Sequence, residues 1–416
     1  MPPPARSSDA SALEYPERYS NRVEVLRIYP ELEDPYGRAL LRGDPLADAV
    51  ARWLATAGAP GRALFEKALA RGIGAVDEPP EPLARFFAAI DRVPDWVDFA
   101  RIDRGARAYQ RVGPATLFIL SAWSLMNGYH SAAAVKPLAF TRQLESMAPR
   151  RLAETGRFIT DVTQVGALQR HARGFEIAAR VRLMHAHVRV GLERSPAWST
   201  RAWGVPINQG DMLGTVLEFS LLWLRGAEML GFHLEPQERE DVLHLWRYAG
   251  WLSGVDDELL SWIDTVDRGA RTAEMMHLAQ PGPDEDSLAL AAALREVPIR
   301  LARTPFESLS ARWIVRYHDG LTRAFNGDRI ADDLRIPNAH WKHSIVPTRV
   351  IVGALERIRR AVPGATWLVT EVGNRHVRAH IEHILDRREP TYAPAARLDE
   401  SRGGRTSASR RTVSAA

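Results

Sequence analysis

Apolar residues recur at three- and four-residue intervals along almost the whole chain, which predicts amphipathic helices rather than strands. Leu46 to Ala57 and Gly61 to Arg71 show the spacing clearly, and a shorter helix from Leu83 to Ile90 follows Pro80 and Pro82. Asp98 has the side chain of an N-cap for the next helix. Gly113-Pro114 opens an apolar helix reaching about Met126, and Asn127-Gly128 marks its expected end. The same periodicity predicts helices over 149–163, 174–193, 211–230, 236–250, 286–301, 306–324, 347–361 and 374–386. Asp211 and the run Pro236-Gln-Glu-Arg-Glu supply start signals. Period-two alternation is nearly absent, and Thr366 to Glu371 is the best strand candidate. The expected fold is therefore all-α: a single large multi-helix domain over 21–392. It is expected to lie between a disordered Pro- and Ser-rich start (1–20) and a disordered basic tail (393–416).

Composition narrows the function more by exclusion than by assignment. Of 416 residues, 45% are hydrophobic and 25% charged, enough apolar material for a large core. Net charge is only +4, and much of the excess sits in the tail at Arg402, Arg405, Arg410 and Arg411. No compact basic motif is interleaved with aromatics, so nucleic acid is not an expected partner. The absence of cysteine excludes disulfides, thiolate metal sites, cysteine nucleophiles and C-x-x-C-H haem attachment. The start of the chain lacks an apolar signal core, and a cytoplasmic location is expected. No span of about 20 apolar residues is present. The longest candidate, Met212 to Phe232, is interrupted by Glu218, Arg225 and Glu228 and suits a buried helix. Strand-to-glycine-loop nucleotide motifs and a nucleophile elbow are also missing.

Two segments carry the candidate chemistry. Arg151, Glu154 and Thr155 are three or four apart and share one helical face. Arg182, His185 and Arg189 share a second face, which sets an imidazole between two cations. That arrangement suits a b-type haem, with His185 as iron ligand and Arg182 and Arg189 neutralising its propionates. The bland alternative is a helix histidine bonded to a carbonyl and a solvated arginine face. His187 falls on a different face, as a surface or supporting group. Glu154 can serve as a base, pair with Arg151 or face solvent, and the i,i+3 pair with Arg151 is the first expectation. A competing cluster, His376, His380 and His383, lies at i, i+4 and i+7 with Glu382 and Asp386 near. Histidines at that spacing can chelate zinc, although Arg375 and Arg378 oppose a bound cation. His340 and His343 form a further pair.

The segments resemble the latex clearing protein and mpaB-type oxygenase family, a group of all-α haem proteins. The resemblance lies in Arg151-x-x-x-Thr155, in His185-Ala186 after an apolar helical run, and in three flanking phrases. These are Pro94-Asp95-Trp96-Val97-Asp98, Gly204-Val205-Pro206-Ile207-Asn208-Gln209, and Leu245-Trp246-Arg247-Tyr248-Ala249-Gly250-Trp251. The resemblance implies non-covalent haem b in a pocket between core helices, with His185 as proximal ligand. It places Arg151 and Thr155 on the distal side, where O2 would bind trans to His185, and implies an apolar small-molecule substrate. Rubber-cleaving members carry a lysine directly before the distal threonine, where this chain has Glu154. They also carry an upstream glutamate, and a gapless alignment places Ala132-Ala133-Ala134-Val135-Lys136 there. The leading expectation is a haem b-dependent oxygenase in which Arg151, Thr155 and Glu154 act on oxygen. A non-catalytic haem-binding or O2-sensing protein is one alternative. A metal-dependent hydrolase built on His376, His380 and His383 is another.

Overall fold

A computed structural model describes residues 15–140, 148–337 and 340–385. Among them every regular element is helical. The Thr366–Glu371 segment is not a strand; it lies inside the helix Ala365–Ile384. Its β-branched residues are carried along by a helix that is anchored further on. The periodicities at Leu46 and Gly61 merge into one helix, Pro45–Arg71, kinked at Gly58 where φ is 60°. The start of order also comes earlier than expected: Arg18 is buried and donates to both carboxylate oxygens of Asp211, at 2.8 and 2.6 Å. Expectations for residues 1–14 and for the tail beyond 385, Asp386 included, lie outside the described residues.

Helix starts follow side-chain chemistry. Asp98 caps Phe99–Arg111 by accepting from the amides of Ala100 and Arg101 at 2.8 and 3.2 Å. Glu235 and Glu238 form a reciprocal capping box on Pro236–Leu252. Asn208, rather than Asp211, caps the helix Gln209–Leu217. The predicted 211–230 helix is three pieces in line, with a π-helical turn over Glu218–Leu222 before Trp223–Leu230. A second π turn, Leu120–Leu125, interrupts the apolar helix after Pro114. That helix runs through Asn127-Gly128 to Tyr129 instead of stopping. Such turns widen the helix and are frequent at functional sites.

The phrases Pro94–Asp98 and Leu245–Trp251 fasten these helices together. Trp96 donates its indole N–H to Asp257 at 3.1 Å, and the guanidinium of Arg247 lies 3.9 Å from its ring centroid. The backbone N–H of Asp98 donates to His244 at 3.0 Å. Phe99–Arg111 then lies directly on Pro236–Leu252, with Gly105 against the backbone of Asp241. A Cβ at Gly105 would fall 2.3 Å from the Asp241 carbonyl oxygen. Gly105→Ala is therefore expected to force the helices apart and cost about 1–3 kcal/mol, read from urea unfolding. Unchanged stability would show that this contact yields freely.

Candidate active site

The site is built on the helix Arg173–Glu193, whose position is set by two buried ion pairs with Pro45–Arg71. Asp44 caps Pro45–Arg71 through the amide of Ala47 and accepts from Arg182 Nε and Nη2 at 2.6 and 3.1 Å. One turn on, Asp48 accepts from Arg189 Nε at 2.9 and 3.1 Å, with Arg189 wholly buried. Arg189 also donates through Nη1 to the Ile207 carbonyl at 2.6 Å. Ile207 presents that carbonyl from a left-handed backbone, φ 48°, a strained conformation for a β-branched residue. Gln209 donates to the carbonyls of Gly43 and Gly254, both at 2.9 Å, and accepts from the Asp256 amide at 2.9 Å. The Gly204–Gln209 phrase is thus the collar around Arg189.

Arg182 and Arg189, expected to neutralise propionates, pair in this structure with Asp44 and Asp48. Both guanidiniums are charge-matched inside the protein by carboxylates 138 and 141 residues away in sequence. One edge stays unused, since Arg189 Nη2 is buried without a hydrogen-bond partner.

His185, from the same helix, lines a cavity of about 350 Å3. Its Nδ1 is buried and makes no hydrogen bond. The carbonyl partner of the bland reading is therefore absent. Burial, then the nearby Arg189 charge, lowers its pKa to about 4, so the ring is neutral at pH 7. A neutral imidazole is the form that binds a metal. His187 does not line the cavity; it lies half-buried within the field of Arg62. Apolar walls come from Phe158, Val181, Met184, Phe219 and Trp246.

The helix Ala148–Val162 brings Arg151, Glu154 and Thr155 to the same cavity, as the spacing predicts. Burial pulls the Arg151 guanidinium below its ordinary range, and its charge reaches both His185 and Tyr129. The ion pair shown for Glu154 is with Arg150, at 3.1 Å and i,i+4. Arg151, the expected i,i+3 partner, feels the Glu154 charge as well. Lys136, from the segment where the upstream acid was sought, is buried and ion-paired with Asp284 and Asp286.

Sequence reading missed Glu218 as a site residue, treating it only as a charge that breaks an apolar run. It stands at the start of the Glu218–Leu222 π turn and lines the cavity. Gly128 makes room for it, because a Cβ there would sit 2.5 Å from Glu218 Oε1. Ser124 fixes the backbone by donating to the Glu218 carbonyl at 2.7 Å. Burial, then the charge of Asp211, raises the Glu218 pKa to about 8. Tyr129, beside it, is likewise pushed up, mainly by burial. The only advance signal was an acid in an otherwise apolar stretch.

The histidines of Ala365–Ile384 gather no metal site. His376, His380 and His383 are exposed, and no cluster of three metal-ligating side chains occurs among the described residues. Glu382 instead faces Arg157 at 3.6 Å. No described helix is long and apolar enough to cross a membrane.

An all-α fold thus encloses an apolar cavity lined by a neutral histidine from one helix and by an arginine and a threonine from a second. The chain belongs to the family described as ER-bound oxygenase mpaB/B'/Rubber oxygenase, whose catalytic-domain model matches residues 109–357. Rubber oxygenase from Streptomyces sp. (strain K30) is 29% identical over 185 residues, covering 44% of this chain and 45% of that relative. The match therefore spans less than half of that relative's length. The fold is also that of latex clearing protein LCP in its closed state, with a TM-score of 0.59 and 21% identity. That likeness covers 82% of this chain and 91% of the other.

Two outcomes follow from this geometry. Asp48→Ala strands the Arg189 charge in the interior and is expected to cost about 3–5 kcal/mol in urea unfolding. A loss below about 1 kcal/mol would mean that the pair is dispensable. Glu218 holds its proton up to about 8, whereas an ordinary glutamate loses it near 4.5. In that window the folded state keeps a proton that the unfolded chain has released. Its contribution is full below 4.5 and is lost as pH rises through about 8. Glu218→Gln should therefore gain Tm relative to wild type progressively between about pH 5 and 8. A gap independent of pH would contradict the buried acid.

Proposed function

We propose that this protein is a haem b-dependent oxygenase acting on an apolar small molecule, and that His185 is the residue that would hold the haem iron. The observation that carries the reading is the neutral, unpartnered imidazole of His185 on the wall of an apolar cavity. The residues present fit the group: an imidazole with a nitrogen that no hydrogen bond engages, apolar walls, and no cysteine for covalent attachment. When bound, haem supplies an iron centre able to bind and activate dioxygen.

The chain's own residues do the rest. Phe158, Phe219 and Trp246 exclude water and hold an apolar substrate by burial. Thr155 offers a hydroxyl donor, and Arg151 places positive charge where negative charge develops as oxygen is reduced. Poor solvation inside the cavity strengthens that charge's effect. Glu218 keeps a proton at its carboxyl near neutral pH and supplies an acid that the sequence alignment did not locate. Glu154, tied to Arg150 one turn earlier on the same helix, reinforces the helix that carries Arg151 and Thr155. The hydrolase alternative loses its support with the exposed, unclustered histidines.

Protein reconstituted with haem should show a Soret band with one haem per chain. His185→Ala should lose it, and His187→Ala should keep it. Arg151→Ala and Thr155→Ala should retain the band while oxygen consumption with an apolar alkene falls on the order of 100-fold. Haem binding unaffected by His185→Ala would remove the assignment. A reversible oxygen complex with no consumption for any alkene tried would identify a sensor instead.

A further inference from the structure

Large apolar side chains should leave water, yet one face of this molecule displays them in continuous array. The helix Ile345–Ala361 is fixed along one side only. There the Arg349 carbonyl closes on Gly231, and the buried Glu356 accepts from the His233 amide at 3.3 Å and from Arg359 at 2.8 Å. Along the other side Ile351, Leu355 and Ile358 are exposed, with Leu355 at 59%. Val362 continues the row into a turn at Pro363-Gly364, where Gly364 has φ 80°.

The next helix, Ala365–Ile384, is anchored by its second half. Gly373 meets Gly113, and Val377 and Ile381 are buried with Ala153 against the Thr155 helix. Its first half stands free, with Trp367 at 70% exposure and Leu368, Val369 and Val372 also exposed. The two helices thus form a hairpin whose base is packed and whose tip is apolar. Trp313, itself half exposed, extends the face by its ring contact with Trp341 at 5.3 Å.

Charge selects the occupant. Residues 340–378 hold seven Lys and Arg against two Glu, an excess of five in a chain whose net charge is +4. Lys342 and Arg360 are matched by Asp328 and Glu235 from outside the segment, which leaves an excess of three. A second copy would bring two such positive faces together. Of the terminal segments outside the described residues, 386–416 is polar and basic, and 1–14 has Met1 and Leu13 as its large apolar side chains besides three prolines, so neither complements the face. An anionic lipid surface answers both properties: its headgroups meet the arginines and its acyl boundary takes up Trp and Leu side chains.

We propose that the hairpin formed by Ile345–Ala361 and Ala365–Ile384 docks this protein on an anionic membrane surface, with the Val362–Val369 tip inserted at the headgroup boundary. The proposal stands on exposure and charge alone and is independent of His185 and haem.

The test is co-sedimentation of the full chain with vesicles of phosphatidylcholine, alone or with roughly 30% phosphatidylserine. Strong binding to the anionic vesicles that weakens with salt, and little binding to neutral ones, is expected. Trp367→Ser/Leu368→Ser, both exposed and far from any packing role, should keep the wild-type Tm yet bind roughly tenfold more weakly or worse. Arg349→Gln/Arg357→Gln should reduce binding and flatten its salt dependence. No binding to either vesicle, or binding unchanged in the Trp367→Ser/Leu368→Ser variant, would overturn the proposal. So would sedimentation velocity showing a dimer that this variant dissolves, which would assign the face to a second copy.

Discussion

The structure depends on keeping two guanidinium–carboxylate pairs dry between Pro45–Arg71 and Arg173–Glu193. A buried arginine without its carboxylate would cost about 3–5 kcal/mol, a large share of a domain's net stability, so the two helices are held in one register. Neighbouring residues answer to that lock. Gly43 leaves room for the Arg189 side chain, Gly254 for Asp44, and Ile207 accepts a left-handed backbone to present its carbonyl. The register in turn decides where the ring of His185 ends, on a cavity wall with its Nδ1 unpartnered. Arginines that look like ligands for an anion are, in the folded chain, what holds the histidine in place.

Around that fixed point the cavity is apolar in area but polar in a few chosen places. His185, Arg151, Thr155, Tyr129 and Glu218 arrive from four different helical segments. Burial shifts each titratable member toward its neutral form: His185 down, Arg151 down, Tyr129 and Glu218 up. Of these four the arginine keeps its charge at neutral pH, because its ordinary pKa lies so far above 7, while the Glu154 and Asp211 carboxylates on the same walls are paired with Arg150 and Arg18. A cavity with one retained cation and a protonated acid is suited to chemistry that develops negative charge and consumes protons.

Local patterns were legible in the sequence and long-range pairings were not. The helices carrying Arg151 and His185 follow from three- and four-residue spacing, and so do the shared faces of Arg151, Glu154 and Thr155. Asp44 and Asp48 could not be assigned to Arg182 and Arg189, because nothing local links residues 138 and 141 positions apart. Glu218 escaped notice because a π turn leaves no signature in periodicity, and that turn aims its carboxyl at the cavity. Thr366–Glu371 read as a strand because β-branched residues dominate it, while its helical state is decided by anchoring at Gly373 and Val377. The spacing over 347–361 predicted a helix but not its surroundings; exposure alone reveals that nothing in the described fold covers its apolar row.

The central claim is that the cavity beside His185, and no other part of the chain, holds an iron porphyrin. Anomalous scattering at the iron edge from crystals of the haem-reconstituted protein tests it most directly. The account predicts one strong peak per chain, inside the cavity and within bonding distance of a His185 ring nitrogen. A peak beside His376, His380 or His383, or one in the cavity with His185 still turned away from the metal, would contradict it.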